Sequence, residues 1–227
     1  SGSMNELVFE VGGKLHLMKA ADETFKEIPV NVISDLTLEM SRRVAVDKRI
    51  RNMTASPGAK RIIFEARGEL FNVPVKEGYT SNITRSSGAF DHAPTWSPDG
   101  KLLAYWSDAS GEYEVYVKDM MSNNPARKIS ARNKGYGYNL HWSPDSKKLA
   151  FIDEKNDINI IDANSGAVVI ADNYNWNYGH GGRYGFPISW SHDSRYLAYA
   201  VGMENGNEAI HLYDTQGGQV RAVTSGF

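Results

Sequence analysis

Three serines are each followed two residues later by an aspartate: Ser97 and Asp99, Ser143 and Asp145, Ser191 and Asp193. The chain also carries six histidines, His16, His92, His141, His180, His192 and His211. A hydroxyl nucleophile, an imidazole base and an orienting carboxylate are the parts of a serine hydrolase. A catalytic set occurs once, whereas these pairs recur with the same neighbours. Trp-Ser-Pro-Asp-Gly-Lys spans 96–101, Trp-Ser-Pro-Asp-Ser-Lys spans 142–147 and Trp-Ser-His-Asp-Ser-Arg spans 190–195. Ala-Ser-Pro-Gly-Ala-Lys at 55–60 is a worn copy. Recurrence assigns the serines and aspartates to turn chemistry and the tryptophans to packing, and it leaves no catalytic residue. The histidines form no i, i+4 pair or tight cluster, so no metal site is expected. His92 and His141 precede the motifs, where they either pack or line a central channel. Gly179, Gly181 and Gly182 lack the strand-to-helix context of a phosphate loop, and no cofactor is expected.

The elements that position these residues are strands. Ser-Pro-Asp-Gly suits a β-turn, with an oxygen-bearing side chain at its first position, proline pre-set at the second and glycine at the fourth. Short runs rich in aromatic and branched residues flank each copy. The shared serine falls at 56, 97, 143 and 191, at intervals of 41, 46 and 48 residues. Such a period, with about four short strands per repeat, is the signature of a β-propeller blade. The spacing predicts strands at 50–54, 60–66, 69–74 and 81–84, then at 92–96, 102–106, 113–118 and 126–130. The next repeat gives 138–142, 148–152, 157–162 and 167–171, and the last 186–190, 196–201, 208–214 and 219–224. The second strand of each repeat, such as Leu102-Leu103-Ala104-Tyr105, is apolar throughout and should be covered on both faces.

The fold expected is therefore all-β: propeller blades of four antiparallel strands, about four complete and one partial, forming an open fragment of a larger propeller. Residues 1–33 read as a three-strand tail of a preceding blade, with Ser1-Gly2-Ser3 resembling a tag remnant. A Gly12-Gly13 turn joins its first two strands, and Pro29 places its third at an edge. Residues 34–49 read as a connector, with a helical turn starting at Ser34 and a basic surface from Arg42, Arg43, Lys48 and Arg49. The blades should run at about 50–90, 91–134, 135–181 and 182–227. An open arc would expose apolar blade faces, so a homo-oligomer is expected.

Composition excludes several classes. Of 227 residues 41% are hydrophobic, 23% charged and 11% aromatic, and the net charge is −2, which describes a globular chain with no electrostatic case for nucleic acid or an anionic membrane. No apolar run approaches the roughly 18 residues of a membrane span. Cysteine is absent, which rules out disulfides and thiolate chemistry and fits a cytoplasmic location. A periplasmic one remains the alternative, since an N-terminal leader could have been removed.

One stretch suits ligand contact. Residues 173–185, Asn-Tyr-Asn-Trp-Asn-Tyr-Gly-His-Gly-Gly-Arg-Tyr-Gly, combine aromatic faces, amides and an arginine. Lys134-Gly135-Tyr136-Gly137-Tyr138 holds the equivalent place one blade earlier. Rings for stacking, amides for backbone hydrogen bonds and a guanidinium for a carboxylate suit an extended peptide. Tyr136, Tyr138, Trp176, Tyr178 and Arg183 are the peptide-binding candidates. The competing reading is an inter-blade loop that fills its own gap with rings.

The repeats resemble propellers of the TolB and tricorn-type protease superfamily, through Pro94, Trp96-Ser97-Pro98-Asp99-Gly100-Lys101 and the Ala-Tyr or Ala-Phe strand ends. A narrower resemblance to tricorn proteases lies in Ser56–Arg61, Glu65–Pro74, Asn82-Ile83-Thr84 and Ser107–Tyr113. It implies the start of a seven-bladed propeller that follows a six-bladed one, with a C-terminal serine peptidase beyond it. On that reading this chain is a non-catalytic access channel, filter and scaffold for a parent that degrades oligopeptides. Its partners would be peptide substrates, the remaining propeller and the peptidase domains. The alternative is a TolB-like propeller that binds a protein partner in the cell envelope.

Overall fold

The structure, a computed structural model, describes residues 2–3, 5–11, 13–31, 44–132, 135–173, 186–203 and 205–225. It divides into two compact units, residues 1–44 and 45–227, so the break falls about ten residues later than the connector's expected start. The expected helical turn at Ser34 lies outside the described residues.

The first unit is one antiparallel sheet of β1 (Gly2–Ser3), β2 (Glu6–Val11), β3 (Lys14–Lys19) and β4 (Phe25–Ile28), paired in that order. It has four strands rather than three. Gly2 and Ser3 pair with Leu7 and Glu6, so two residues of the supposed tag remnant extend the sheet. Phe9 stacks on His16, and Phe25 meets both rings edge-on. As Pro29 suggested, β4 is an edge strand.

The second unit holds four four-stranded blades. Blade 1 is β5 (Ile50–Ala55), β6 (Arg61–Ala66), β7 (Glu69–Pro74) and β8 (Ser81–Asn82). Blade 2 is β9 (Asp91–Trp96), β10 (Leu102–Ser107), β11 (Glu114–Asp119) and β12 (Arg127–Lys128). Blade 3 is β13 (His141–Trp142), β14 (Lys148–Ile152), β15 (Asp157–Asp162) and β16 (Val168–Asn173). Blade 4 is β17 (Ile188–Trp190), β18 (Tyr196–Gly202), β19 (Glu208–Asp214) and β20 (Gln219–Ala222). Every neighbouring pair is antiparallel, and the first strands of successive blades adjoin.

Successive strand residues point to opposite faces, so an apolar second strand can pack against two neighbours at once. Leu103 and Tyr105 face blade 1, where they meet Ile63 and Leu70. Ala104 and Trp106 face blade 3, where they meet Leu149 and Phe151. Ala150 and Ile152 then face blade 4, where they meet Leu197 and Tyr199. Three cores result, each shared by two adjacent blades.

The recurring motif holds the turn and joins the blades. Gly100 N–H donates to Ser97 O at 2.9 Å, closing the turn. Ser97 Oγ donates to Asp99 Oδ1 at 2.6 Å and accepts Leu102 N–H at 2.9 Å. Ser143 repeats this with Asp145 and Lys148, and Ser191 with Asp193 and Tyr196. In the worn copy Ser56 still accepts Arg61 N–H, at 3.2 Å, but Gly58 offers no carboxylate. Between blades, Asp99 N–H donates to Ser146 Oγ at 3.1 Å and Asp145 N–H to Ser194 Oγ at 3.0 Å. The indole N–H groups reach back one blade: Trp142 Nε1 to Thr95 O at 3.1 Å and Trp190 Nε1 to His141 O at 3.0 Å. Where blade 2 meets blade 1, both links are missing. Gly100 has no hydroxyl, and Trp96 Nε1 is buried with no partner among the described residues.

Candidate functional site

Antiparallel order puts the Ser-Asp turns and the third-to-fourth-strand turns at one end of the blades. The second-to-third-strand turns and the inter-blade segments lie at the other. The serine-aspartate pairs are structural on geometry as well as on recurrence. Ser97 and Ser143 are fully buried, and each hydroxyl proton is committed to the aspartate two residues on. Burial pushes the Asp99 carboxyl up, but the bonds from Ser97 and Lys101 N–H outweigh it and hold it below the usual carboxylate range. Among the described residues, no histidine stands among the hydrogen-bond partners of these serines.

The opposite end gathers rings. Phe90 precedes β9, His92 lies on it, Tyr113 precedes β11, and Tyr136 and Tyr138 lie on the approach to β13. His92 stacks on Tyr136 at 5.5 Å with an interplanar angle of 6°. Tyr113 meets His92 edge-on at 5.1 Å and Tyr136 at 5.3 Å. Phe90 lies 5.7 Å from His92, and Tyr138 5.1 Å from Tyr136. Local chemistry fixes the strip. Asp108 Oδ1 accepts Phe90 N–H at 2.6 Å, and Glu154 Oε2 accepts Tyr136 N–H at 2.9 Å. Arg132 reaches Asp153 Oδ2 at 3.1 Å and Glu154 Oε2 at 3.2 Å, and its guanidinium lies 5.4 Å from the Phe151 ring centre. Glu114 accepts from Ser130 Oγ and Arg132 N–H, and Glu65 accepts Ala93 N–H.

Of the five residues singled out in the sequence, two fall in this strip. Tyr136 sits at its centre, and Tyr138 leans on the core between blades 3 and 4. Trp176, Tyr178 and Arg183 lie outside the described residues. Phe90 and Tyr113 were not anticipated, though each stands just before a strand that starts at this end. His92 packs, the first of the two readings open for it.

A cleft of about 460 Å³ adjoins the strip, lined by Lys48, Arg49, Ile50, Arg51, Arg67 and Phe90. Lys48 and Arg49 belong to a single 3₁₀ turn, Asp47–Arg49, that leads into β5. Arg67 and Gly68 form the tight β6–β7 turn with φ of +56° and +77°. A Cβ on Gly68 would lie 2.9 Å from the Phe90 ring, so glycine lets that ring close onto the turn. Phe90 is thus common to the cleft and the ring strip. Among the described residues, no group of histidines and carboxylates is arranged to hold a metal ion.

His92 is 6% exposed, and its Nε2 has no partner among the described residues. Burial pushes its imidazole down to about 4, against a weaker upward pull from Asp108. The folded ring therefore stays neutral over a range in which the unfolded chain takes up a proton near pH 6.5. Its contribution is complete above about pH 6.5 and is lost as the pH falls toward 4, up to about 3 kcal/mol in all. His92→Phe keeps the ring contacts and should flatten the fall in urea midpoint across that window. An unchanged slope would show that other groups set the acid sensitivity.

Residues 50–227 match the family described as the tricorn protease second beta propeller domain. The tricorn protease crystal structure superposes with a TM-score of 0.67 at 17% identity, covering 98% of this chain and 21% of that one. Dipeptidyl-peptidase 5 of Porphyromonas gingivalis is 27% identical over 119 residues, 45% of this chain and 17% of that protein. The Tol-Pal system protein TolB of Wigglesworthia glossinidia brevipalpis is 38% identical over 48 residues, 21% of this chain and 11% of that protein. The chain spans less than a quarter of the length of each of these relatives. Over residues 50–227 the chain belongs to the tricorn protease second β-propeller domain family.

Proposed function

We propose that this chain is the non-catalytic propeller part of a tricorn-type serine peptidase, and that its ring-bearing blade ends receive and orient peptide substrates on their way to a catalytic domain. The carrying observation is the strip Phe90–His92–Tyr136, with Tyr113 against it, at the inter-blade end. Stacked rings set a few ångströms apart offer sequence-tolerant apolar contact to an extended chain. His92 lies on β9, and Phe90, Tyr113 and Tyr136 stand in segments next to strands, where Asp108 accepts Phe90 N–H and Glu154 accepts Tyr136 N–H. Membership of a peptidase propeller family supports a peptide as the ligand. The likeness to TolB supports a second reading, a propeller that binds a folded protein partner.

Two assays on the purified chain test the proposal. No peptide hydrolysis is expected, because the recurring serines are hydrogen-bonded into turns; turnover that co-purifies with the chain through successive columns would contradict this. Fluorescence anisotropy with capped, unstructured decapeptides should show saturable binding that weakens in Phe90→Ser. Absence of any peptide binding, with capture of a folded partner instead, would favour the TolB-like reading. In either case the propeller is a scaffold, and the self-association expected of exposed blade faces is measurable by sedimentation on the same sample.

A further inference from the structure

The cleft beside Phe90 gathers four cations from two places in the chain: Lys48, Arg49 and Arg51 at the start of β5, and Arg67 in the β6–β7 turn. All four are exposed, and none has a carboxylate within ion-pair distance among the described residues. Three other basic side chains of the blades meet carboxylates: Lys101 with Asp99, Arg132 with Asp153 and Glu154, and Arg195 with Asp214. Glu65 feels the charge of Arg51 but is 5% exposed. Its Oε2 is committed to Ala93 N–H at 3.0 Å, so it does not line the cleft. Arg51 instead lies 5.9 Å from the Phe90 ring centre. The net charge of the whole chain is only −2, so this is a local concentration of one sign and not the overspill of a basic protein.

A concave site lined by one sign of charge focuses potential outward and gathers counter-ions. Three guanidinium forks with a lysine point charge match anionic oxygens such as those of carboxylates. Phe90 is the one wall the cleft shares with the ring strip. A ligand that fills both must be elongated, anionic at one part and neutral or aromatic at the next. We infer that the Lys48–Arg49–Arg51–Arg67 cleft selects peptides carrying neighbouring Asp or Glu side chains, held there while the following residues lie along Phe90 and Tyr136. This rests on the peptide-receiving role proposed above and adds a charge preference to it.

The test uses two acetylated, amidated decapeptides that differ only in Glu versus Gln at two adjacent positions. Capping removes the terminal charges, so only side-chain carboxylates are compared. Anisotropy titrations should give the Glu peptide at least about tenfold tighter binding at low salt. That preference should shrink between about 50 and 200 mM salt, as expected for exposed charges. Arg51→Gln with Arg67→Gln should abolish the preference, while Arg51→Lys with Arg67→Lys retains most of it. An unchanged urea midpoint would show that the Gln pair still folds. Equal affinity for the two peptides overturns the acidic preference and leaves peptide reception standing. A preference that survives in the Gln pair places the acidic contact elsewhere and also overturns the inference. If neither peptide binds but inorganic triphosphate does, and the Gln pair loses it, the cleft is a small-anion site and both proposals fall.

Discussion

Trp106→Ala is expected to lower the unfolding free energy by about 3–5 kcal/mol. The side chain is fully buried between blades 2 and 3 and meets Phe151 edge-on at 5.0 Å and 89°. Its Nε1 donates to Tyr138 O at 2.8 Å. Gly137 packs so closely beneath the indole that a Cβ there would lie 2.1 Å from Cζ2. Truncation therefore opens a cavity and frees a carbonyl at the same point. Trp106→Phe separates the two effects, since it keeps most of the apolar volume and loses only the N–H, at a cost of about 1–3 kcal/mol. Urea unfolding followed by far-ultraviolet circular dichroism measures both. A loss below about 1 kcal/mol for the alanine variant would mean that the joint between blades 2 and 3 closes around the gap.

Gly166→Ala should cost about 2–4 kcal/mol, from left-handed backbone strain and displacement of a neighbouring strand. Gly166 has φ +76°, and a Cβ there would lie 2.3 Å from the backbone oxygen of Ile129 in blade 2. The turn cannot retreat easily. Gly166 N–H is bonded to Asp162 O, and Asp162 Oδ1 accepts Asn164 N–H and Ser165 N–H. From blade 2, Arg127 grips Ala163 O at 2.7 Å and Asn164 O at 2.8 Å. Gly218 supplies the control. It occupies the matching turn of blade 4 with φ +66° but nothing within 4 Å of its Cβ position. Gly218→Ala should therefore show only the backbone part, about 1 kcal/mol. Equal midpoint shifts in the two variants would remove the inter-blade collision as the cause.

The blades are legible because their information is local and periodic. Glu69–Pro74 and Glu208–Asp214 are strands over the residues the sequence predicts. The Ser-Asp motif marks each first turn, and its hydrogen bonds span no more than five residues. Strand ends are less legible where a side chain takes a backbone partner. The first strand of blade 3 is expected from Tyr138 and begins at His141. Tyr138 O is taken by the Trp106 indole, and Gly137 pairs with Asp153 only as an isolated bridge. The fourth strand of blade 2 is expected through Ser130 and ends at Lys128. There the Ser130 hydroxyl, not a backbone carbonyl, accepts Val115 N–H.

The candidate site is less legible still, and the reason is distance along the chain. The sequence marks Tyr136 as a ring beside flexible glycines, but it gives no sign that His92 stacks on it from the previous blade. Lys48 and Arg49 read as a solvated surface run. Only the β6–β7 turn, which brings Arg67 to the same side, and the segment carrying Phe90 make a cleft of them. Contacts such as Asp99 N–H to Ser146 Oγ join positions 47 residues apart. Periodicity shows that such positions are equivalent, and only the fold shows that they touch.

The missing links between blades 1 and 2 bear on the order in which the unit comes apart. Blades 2, 3 and 4 are riveted: each joint has an indole bond, a hydroxyl bond and a large apolar core. Blade 1 lacks both rivets and is held instead by packing through Ile63, Leu70, Leu103 and Tyr105, by Glu65 accepting Ala93 N–H and by the backbone bond from Asp91 N–H to Gly68 O. Local opening follows the weakest cooperative boundary, and at this joint the end without rivets is the one that would part, with the Glu65 and Gly68 bonds as the hinge of the leaf. The cationic cleft bridges that hinge, since its arginines ride on blade 1 while Phe90 leads into blade 2. An occupant of the cleft would act as a clasp, and its release would leave the leaf free to swing.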